Sequence, residues 1–223
     1  MLEENLKNVF EEIKNGNDRG EKITLVGATK TVPIEIINDA ITLGLGCVAE
    51  NKVQEFREKH GKLFFAEEQF IGHLQTNKVK YLVGEVSLIQ SVDSIKLAEE
   101  INRVAEKKGV VQNVLLEINI GGELSKSGFT PLNGIDSVKI ISNFSNVKVL
   151  GLMAMLPPSS DTEYLKNLCL QMRSIYDKLK SEGYPFCYLS IGMSEDYKIA
   201  IRNGSNMIRL GSALFGKRNY GEK

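Results

Sequence analysis

Leu2, Leu6, Val9, Phe10 and Ile13 recur at helical spacing and form one apolar stripe, so the chain opens with an amphipathic helix that ends near Gly16. The next apolar run, ITLVGATK at 23 to 30, is rich in β-branched residues and reads as a strand. Pro33 suits the first helical position after it, where its missing N–H leaves nothing unpaired, ahead of Ile36, Ile37, Ala40 and Ile41. The alternation then repeats. CVAE (47 to 50) precedes NKVQEFREKH, QFIG (69 to 72) precedes LQTNKVKYLV, and SLIQSV (87 to 92) precedes a helix with Leu97, Ala98, Ile101, Val104 and Ala105. NVLLEINIG (113 to 121), VKVLGLMAM (147 to 155), FCYLSIG (186 to 192) and NMIRLGSALFG (206 to 216) bring the candidate strands to eight. The strongest helix lies at 163 to 180, where Leu165, Leu168, Met172, Ile175, Tyr176 and Leu179 follow a period near 3.6.

Near-continuous apolar strands alternating with helices imply a parallel sheet covered by its crossovers. Eight of them predict an α/β fold, a single-domain (β/α)8 TIM barrel spanning residues 1–223. Only 12 residues follow Gly211, too few for a full eighth outer helix, and the N-terminal helix is expected to pack beside that place in the ring. The competing architecture is a doubly wound open sheet. Against it, no GxGxxG follows the first strand and no composition break divides the chain.

Composition leaves that picture standing and narrows the function. The 223 residues are 42% hydrophobic and 25% charged, values of an ordinary globular domain able to bury a core. Lys plus Arg equals Asp plus Glu at 28 each, which gives no net field to draw nucleic acid or an anionic membrane, and neither is expected as a partner. Cys47, Cys169 and Cys187 form no CxxC pair, so neither a disulfide framework nor a zinc site is signalled. The N-terminus has no signal-peptide pattern and no run of about 18 apolar residues occurs, so a cytoplasmic location is expected.

In such barrels chemistry sits where the strands end at their C-terminal side. There the sequence places Lys30, Glu50 and Asn51, His73, Asn119, Ser190 and Ser194, and Arg209 before Gly211 and Ser212. Alternation puts Thr24, Val26, Ala28 and Lys30 on one face, so an amine projects above small residues, where a covalent lysine would stand. A neutral amine is needed to attack an aldehyde, and a low-dielectric pocket with a nearby cation such as Arg209 favours that form. The alternative is a lysine whose stem covers apolar surface while its head reaches water. Gly211 allows close backbone approach to an anion, and Ser212 adds a hydroxyl and an N–H. Ser190, Gly192 and Ser194 share one face of the seventh strand and offer similar chemistry, though Ser194 and Ser212 could equally be ordinary N-caps. An amine opposite a phosphate anchor suits pyridoxal 5′-phosphate, or a sugar phosphate held by a Schiff-base aldolase.

The stretches VGATKTVP, AENKVQE, FIGHLQTNK, INIGGELSKSG, GLMAM, LSIGMSEDY and IRLGSALFG, in this order from residue 26 to 216, closely resemble the pyridoxal phosphate homeostasis protein family. The resemblance implies the barrel of alanine racemase, fold-type III, without that enzyme's second domain. It also implies that Lys30 carries pyridoxal 5′-phosphate as a Schiff base, that Ser194, Gly211 and Ser212 hold the phosphate, and that Arg209 faces the pyridine nitrogen. Asn51 and His73 would lie near the ring or the entrance, and Met153, inward on the sixth strand, borders the cofactor or fills the barrel. Two positions depart from the family pattern. Ala49 stands where Gly is common, and Glu68 and Gln69 replace an aromatic-His pair, changes expected to affect the mouth and not the cofactor anchors.

The implied function is a carrier or buffer of the cofactor, acting in vitamin B6 and amino-acid homeostasis, with pyridoxal-phosphate-dependent apoenzymes as candidate recipients. An arginine at the ring nitrogen disfavours its protonation and makes the ring a poorer electron sink, which counts against broad amino-acid catalysis. The alternative is a weakly active amino-acid racemase. That reaction needs a second acid/base group, and of the tyrosines only Tyr197, just past Ser194, comes near the expected site. Lys126, between glycines at 121 to 128, is either a mobile amine serving transfer or a solvated loop charge; Lys52 and Lys78 read as exposed charges at helix starts.

Overall fold

Eight parallel strands close into a barrel in strict chain order, β1-β2-β3-β4-β5-β6-β7-β8. This computed structural model describes residues 1–123 and 126–216. The strands are β1 (Thr24–Ala28), β2 (Cys47–Glu50), β3 (Glu67–Phe70), β4 (Leu88–Val92), β5 (Gln112–Glu117), β6 (Val147–Met153), β7 (Tyr188–Ser190) and β8 (Met207–Leu210). All eight fall within or beside the apolar runs of the sequence. Several stop short of them, because the runs continue into apolar loop residues that the ladder no longer pairs.

The helices are α1 (Leu2–Ile13), α2 (Ile34–Thr42), α3 (Val53–Lys59), α4 (Ile95–Lys108), α5 (Pro131–Ile141), α6 (Thr162–Ser181), α7 (Tyr197–Ile201) and α8 (Ser212–Phe215). Ends follow local chemistry. The Ser94 hydroxyl accepts the Leu97 N–H at the start of α4, and Gly109 closes that helix with φ 66°. Two expectations need correction. The crossover after β3 is a six-residue 3-10 helix, Thr76–Tyr81, because Val79 is the sole residue it buries fully and no longer apolar stripe sustains an α-helix. Pro33 is the N-cap of α2, in extended backbone, and not its first helical residue.

Alternation along the strands separates two apolar compartments. Val26, Cys47, Ala49, Leu88, Leu115, Met153 and Met207 pack together inside the barrel. Leu25, Val48, Ile208 and Leu210 point outward into a layer shared with Leu6, Val9, Ile37 and Leu214. In that layer α1 occupies the place beside the four-residue α8, as expected from the short C-terminal segment. Leu6 is 1% exposed, and the Asn5 side chain donates to the Leu214 carbonyl at 2.9 Å. Gly151 permits a bulge in β6, with φ 151° and the Tyr188 carbonyl where a Cβ would stand. No helix among the described residues is long and apolar enough to cross a membrane.

Candidate functional site

A cavity of about 590 Å³ opens at the C-terminal ends of the strands and is lined by Lys30, Asn51, Ser194, Arg209, Gly211 and Ser212, among others. Six of the nine expected cofactor residues therefore meet in one place. Val26 and Arg209 sit opposite each other where β1 pairs with β8, so the barrel closure itself brings the Lys30 segment beside Arg209. Lys30 lies two residues past β1, half-buried, with Ala28 below it on the same wall.

Arg209 is 4% exposed and has no carboxylate partner in hydrogen-bond range among the described residues. Its guanidinium donates to the Ser190 carbonyl at 2.9 Å, the Ser190 hydroxyl at 2.7 Å and the Ala154 carbonyl at 3.0 Å. Burial pulls its pKa down to about 10, against the opposing fields of Asp196 and Glu117. The group remains a cation at neutral pH, solvated by neutral dipoles. The relay continues inward, for the Ser190 hydroxyl donates to Gln90 Oε1 at 2.7 Å and Gln90 Nε2 donates to Gln69 Oε1 at 2.6 Å. Every donor in this row points away from the cation, which places the partial negative end of each acceptor toward it.

Ser194 is not the N-cap of α7. Asp196 holds that position, and Gly211 is the N-cap of α8, so neither Ser194 nor Ser212 is an ordinary cap of its own helix. Instead the Ser194 hydroxyl oxygen spans two loops and accepts from the N–H groups of Gly211 at 3.2 Å and Ala213 at 3.1 Å. With both lone pairs engaged, its proton is left to donate toward the cavity. The Ser212 N–H has no protein acceptor among the described residues. The space where a Gly211 side chain would stand is bounded only by ordinary contacts with Ala28, so the backbone is open to a close ligand. Asn51 Oδ1 is buried and without a hydrogen-bond partner, an acceptor for a ligand donor. Gly72 lies against the backbone of the same residue, since a Cβ there would fall 2.0 Å from the Asn51 carbonyl oxygen.

Three expected residues stand elsewhere. Met153 is fully buried in the barrel interior and does not line the cavity, so it is filling. Ser190 is fully buried beneath the cavity as the support of Arg209. His73 is exposed and off the cavity, 3.2 Å from Asp93. Tyr197 packs into the layer between barrel and helices; Tyr220 lies outside the described residues. Lys126 does line the cavity, ion-paired with Glu123, and Asn119 braces its loop by accepting from the Glu123 N–H and donating to the carbonyls of Glu123 and Lys126. Gln69 corrects the expectation that its replacement leaves the anchors alone, because it reaches Arg209 through Gln90 and Ser190.

Sequence reading missed the far wall, Pro157 to Ser160 with Thr162 and Leu165 after β6, and the acidic Asp196. The Asp196 carboxyl accepts the Met193 N–H at 2.6 Å, and burial pushes its pKa up, more than that bond and Arg209 pull it down. The run LPPSS carried a turn signal that could have flagged this loop.

Residues 10–219 match the family model described as alanine racemase, N-terminal domain, which defines the class of barrel to which fold and cavity belong. The pyridoxal phosphate homeostasis protein of Aquifex aeolicus is 42% identical, covering 97% of this chain and 98% of that one, and that of Escherichia coli K12 is 33% identical, covering 91% and 89%. The chain belongs to the pyridoxal phosphate homeostasis protein family. The solved structure of PipY from Synechococcus elongatus with PLP bound has a TM-score of 0.85 at 27% identity, covering 97% of this chain and all of that one. Alanine racemase of Clostridium difficile shares the fold at 18% identity and a TM-score of 0.79, with this chain spanning 57% of its length.

Proposed function

We propose that the protein binds pyridoxal 5′-phosphate at this cavity and acts as a carrier or buffer of the cofactor in vitamin B6 homeostasis. The observation that carries the reading is one cavity shared by the Lys30 amine, the buried Arg209 cation and the Ser194, Gly211 and Ser212 corner. The donor set fits the group. Ser194 and Ser212 offer donors to a phosphate, Arg209 offers a cation to a ring nitrogen, and the orphaned Asn51 Oδ1 offers an acceptor. Bound there, the cofactor supplies an aldehyde electrophile and an electron-withdrawing ring. Lys30 holds it covalently, and the neutral solvation of Arg209 keeps a full positive charge where a protonated ring nitrogen would be repelled. That electrostatic bias favours holding the cofactor over amino-acid catalysis. Release to pyridoxal-phosphate-dependent apoenzymes belongs to the same proposal.

The purified protein is expected to absorb in the visible after loading, borohydride to fix the cofactor mass on Lys30, and Lys30→Ala to stay colourless. A wild type that remains colourless with added cofactor rejects the reading. Deuterium exchange at the α-carbon of alanine or serine is expected at the free-cofactor background; exchange well above it supports the racemase alternative.

A further inference from the structure

Behind Lys30 sits a buried ionic cluster contributed by β2 and α3. Glu50 is the last residue of β2, and Glu55 and Lys59 lie one turn apart on α3. Glu50 and Lys59 are 5% and 8% exposed. Lys59 Nζ donates to Glu50 Oε1 and to the Thr29 carbonyl, each at 2.7 Å, and lies 3.8 Å from Glu55 Oε2. The Thr29 hydroxyl donates to Glu50 Oε1 at 2.6 Å, and Glu55 Oε2 accepts the Thr31 N–H at 2.7 Å. The cluster therefore grips the residue before Lys30 and the residue after it, while Lys30 itself lines the cavity.

The grip closes on a turn. The Val32 N–H donates to the Thr29 carbonyl at 3.0 Å, which makes Lys30 and Thr31 the two central residues. Thr31 has φ 63°, the only non-glycine residue with positive φ among the described ones, and Lys30 does not share it. This is the pattern of a type II turn, whose third position ordinarily takes Gly or Asn. A β-branched residue there persists only where its surroundings over-determine it. Stability alone does not explain the arrangement, since a buried ion pair is often replaceable by apolar residues at no loss.

We infer that Glu55, Lys59 and Glu50 are positioning residues for Lys30, holding its turn so that the amine is already aimed at an aldehyde bound across the mouth. The inference rests on the proposed cofactor reading. Capture joins the neutral Nζ to the aldehyde carbon and releases the aldehyde oxygen as water with the two amine protons. Fixing the approach of Nζ beforehand raises the rate of that step without adding contacts to the bound molecule.

The test uses Glu55→Ala, Glu55→Gln, which keeps an acceptor oxygen for the Thr31 N–H, and Lys59→Met. Total pyridoxal 5′-phosphate bound is measured by ultrafiltration, capture by the rate at which borohydride-fixed mass appears on Lys30, and the turn by amide exchange of Thr31 in cofactor-free protein. Glu55→Ala is expected to keep occupancy within about twofold, to slow capture roughly tenfold and to speed Thr31 exchange, with Glu55→Gln recovering most of both. If Lys59→Met does not fold, the Glu55 pair decides alone. Capture by Glu55→Ala at the wild-type rate, or unchanged Thr31 exchange, overturns the inference. A wild type that captures no cofactor instead rejects the functional reading, and the exchange measurement then decides the clamp by itself.

Discussion

Two charged side chains at the mouth, Lys30 and Arg209, line one cavity, and the surroundings of the second are polar but uncharged within hydrogen-bond range. Lys30 was legible because strand alternation and a strand end are sequence properties. Arg209 was legible as a cation at an inward position, but not the manner of its solvation, which joins residues as far apart in sequence as Gln69 and Arg209. Ser190 looked like part of an anion site because serine chemistry is the same whether the hydroxyl faces a ligand or a guanidinium. Ser190→Ala is expected to leave the borohydride-fixed mass on Lys30 in place, to shift the visible absorbance of the loaded protein, and to lower stability by about 1 to 3 kcal/mol, since Gln90 Oε1 loses its donor. An unshifted spectrum would separate Ser190 from the tuning of the ring.

Among the elements, those with a long periodic stripe were read correctly and those defined by a single contact were not. The helix predicted at 163 to 180 is α6, Thr162–Ser181. The two bonds that Ser194 accepts could not be read from sequence, because they come from residues 17 and 19 positions away. The N-terminal helix packs beside the short α8 in the outer layer, and its anchoring can be measured. Leu6→Ala is expected to cost about 2 to 5 kcal/mol in chemical denaturation, given full burial between α1 and the barrel. At the rim, Gly72→Ala forces a methyl against the Asn51 backbone, with an expected loss of about 1 to 3 kcal/mol and weaker cofactor retention by dialysis.

The whole barrel is also fastened at the end opposite the cavity. Arg173 of α6 donates to both Glu21 oxygens at 2.5 and 3.0 Å, to Asp177 and to the Gly204 carbonyl, joining the entry to β1 with the loop before β8. The Arg173 bond holds the Glu21 carboxyl below its ordinary value near 4.5, although partial burial opposes it. A lowered carboxyl contributes stability that is complete above that ordinary value and is lost as pH falls through the lowered one. Wild type is therefore expected to weaken as pH drops below about 4.5, and Glu21→Gln to weaken less over that interval in urea titrations, though it is the less stable protein at neutral pH.

The row of amides beneath Arg209 gives the barrel an unusual kind of control. An exchange at position 69, on β3 and three strands away from β8, alters how strongly a cation is felt at the mouth. Relatives could thus diverge in the electronic character of an identical-looking site through a residue that no survey of ligand contacts would ever include.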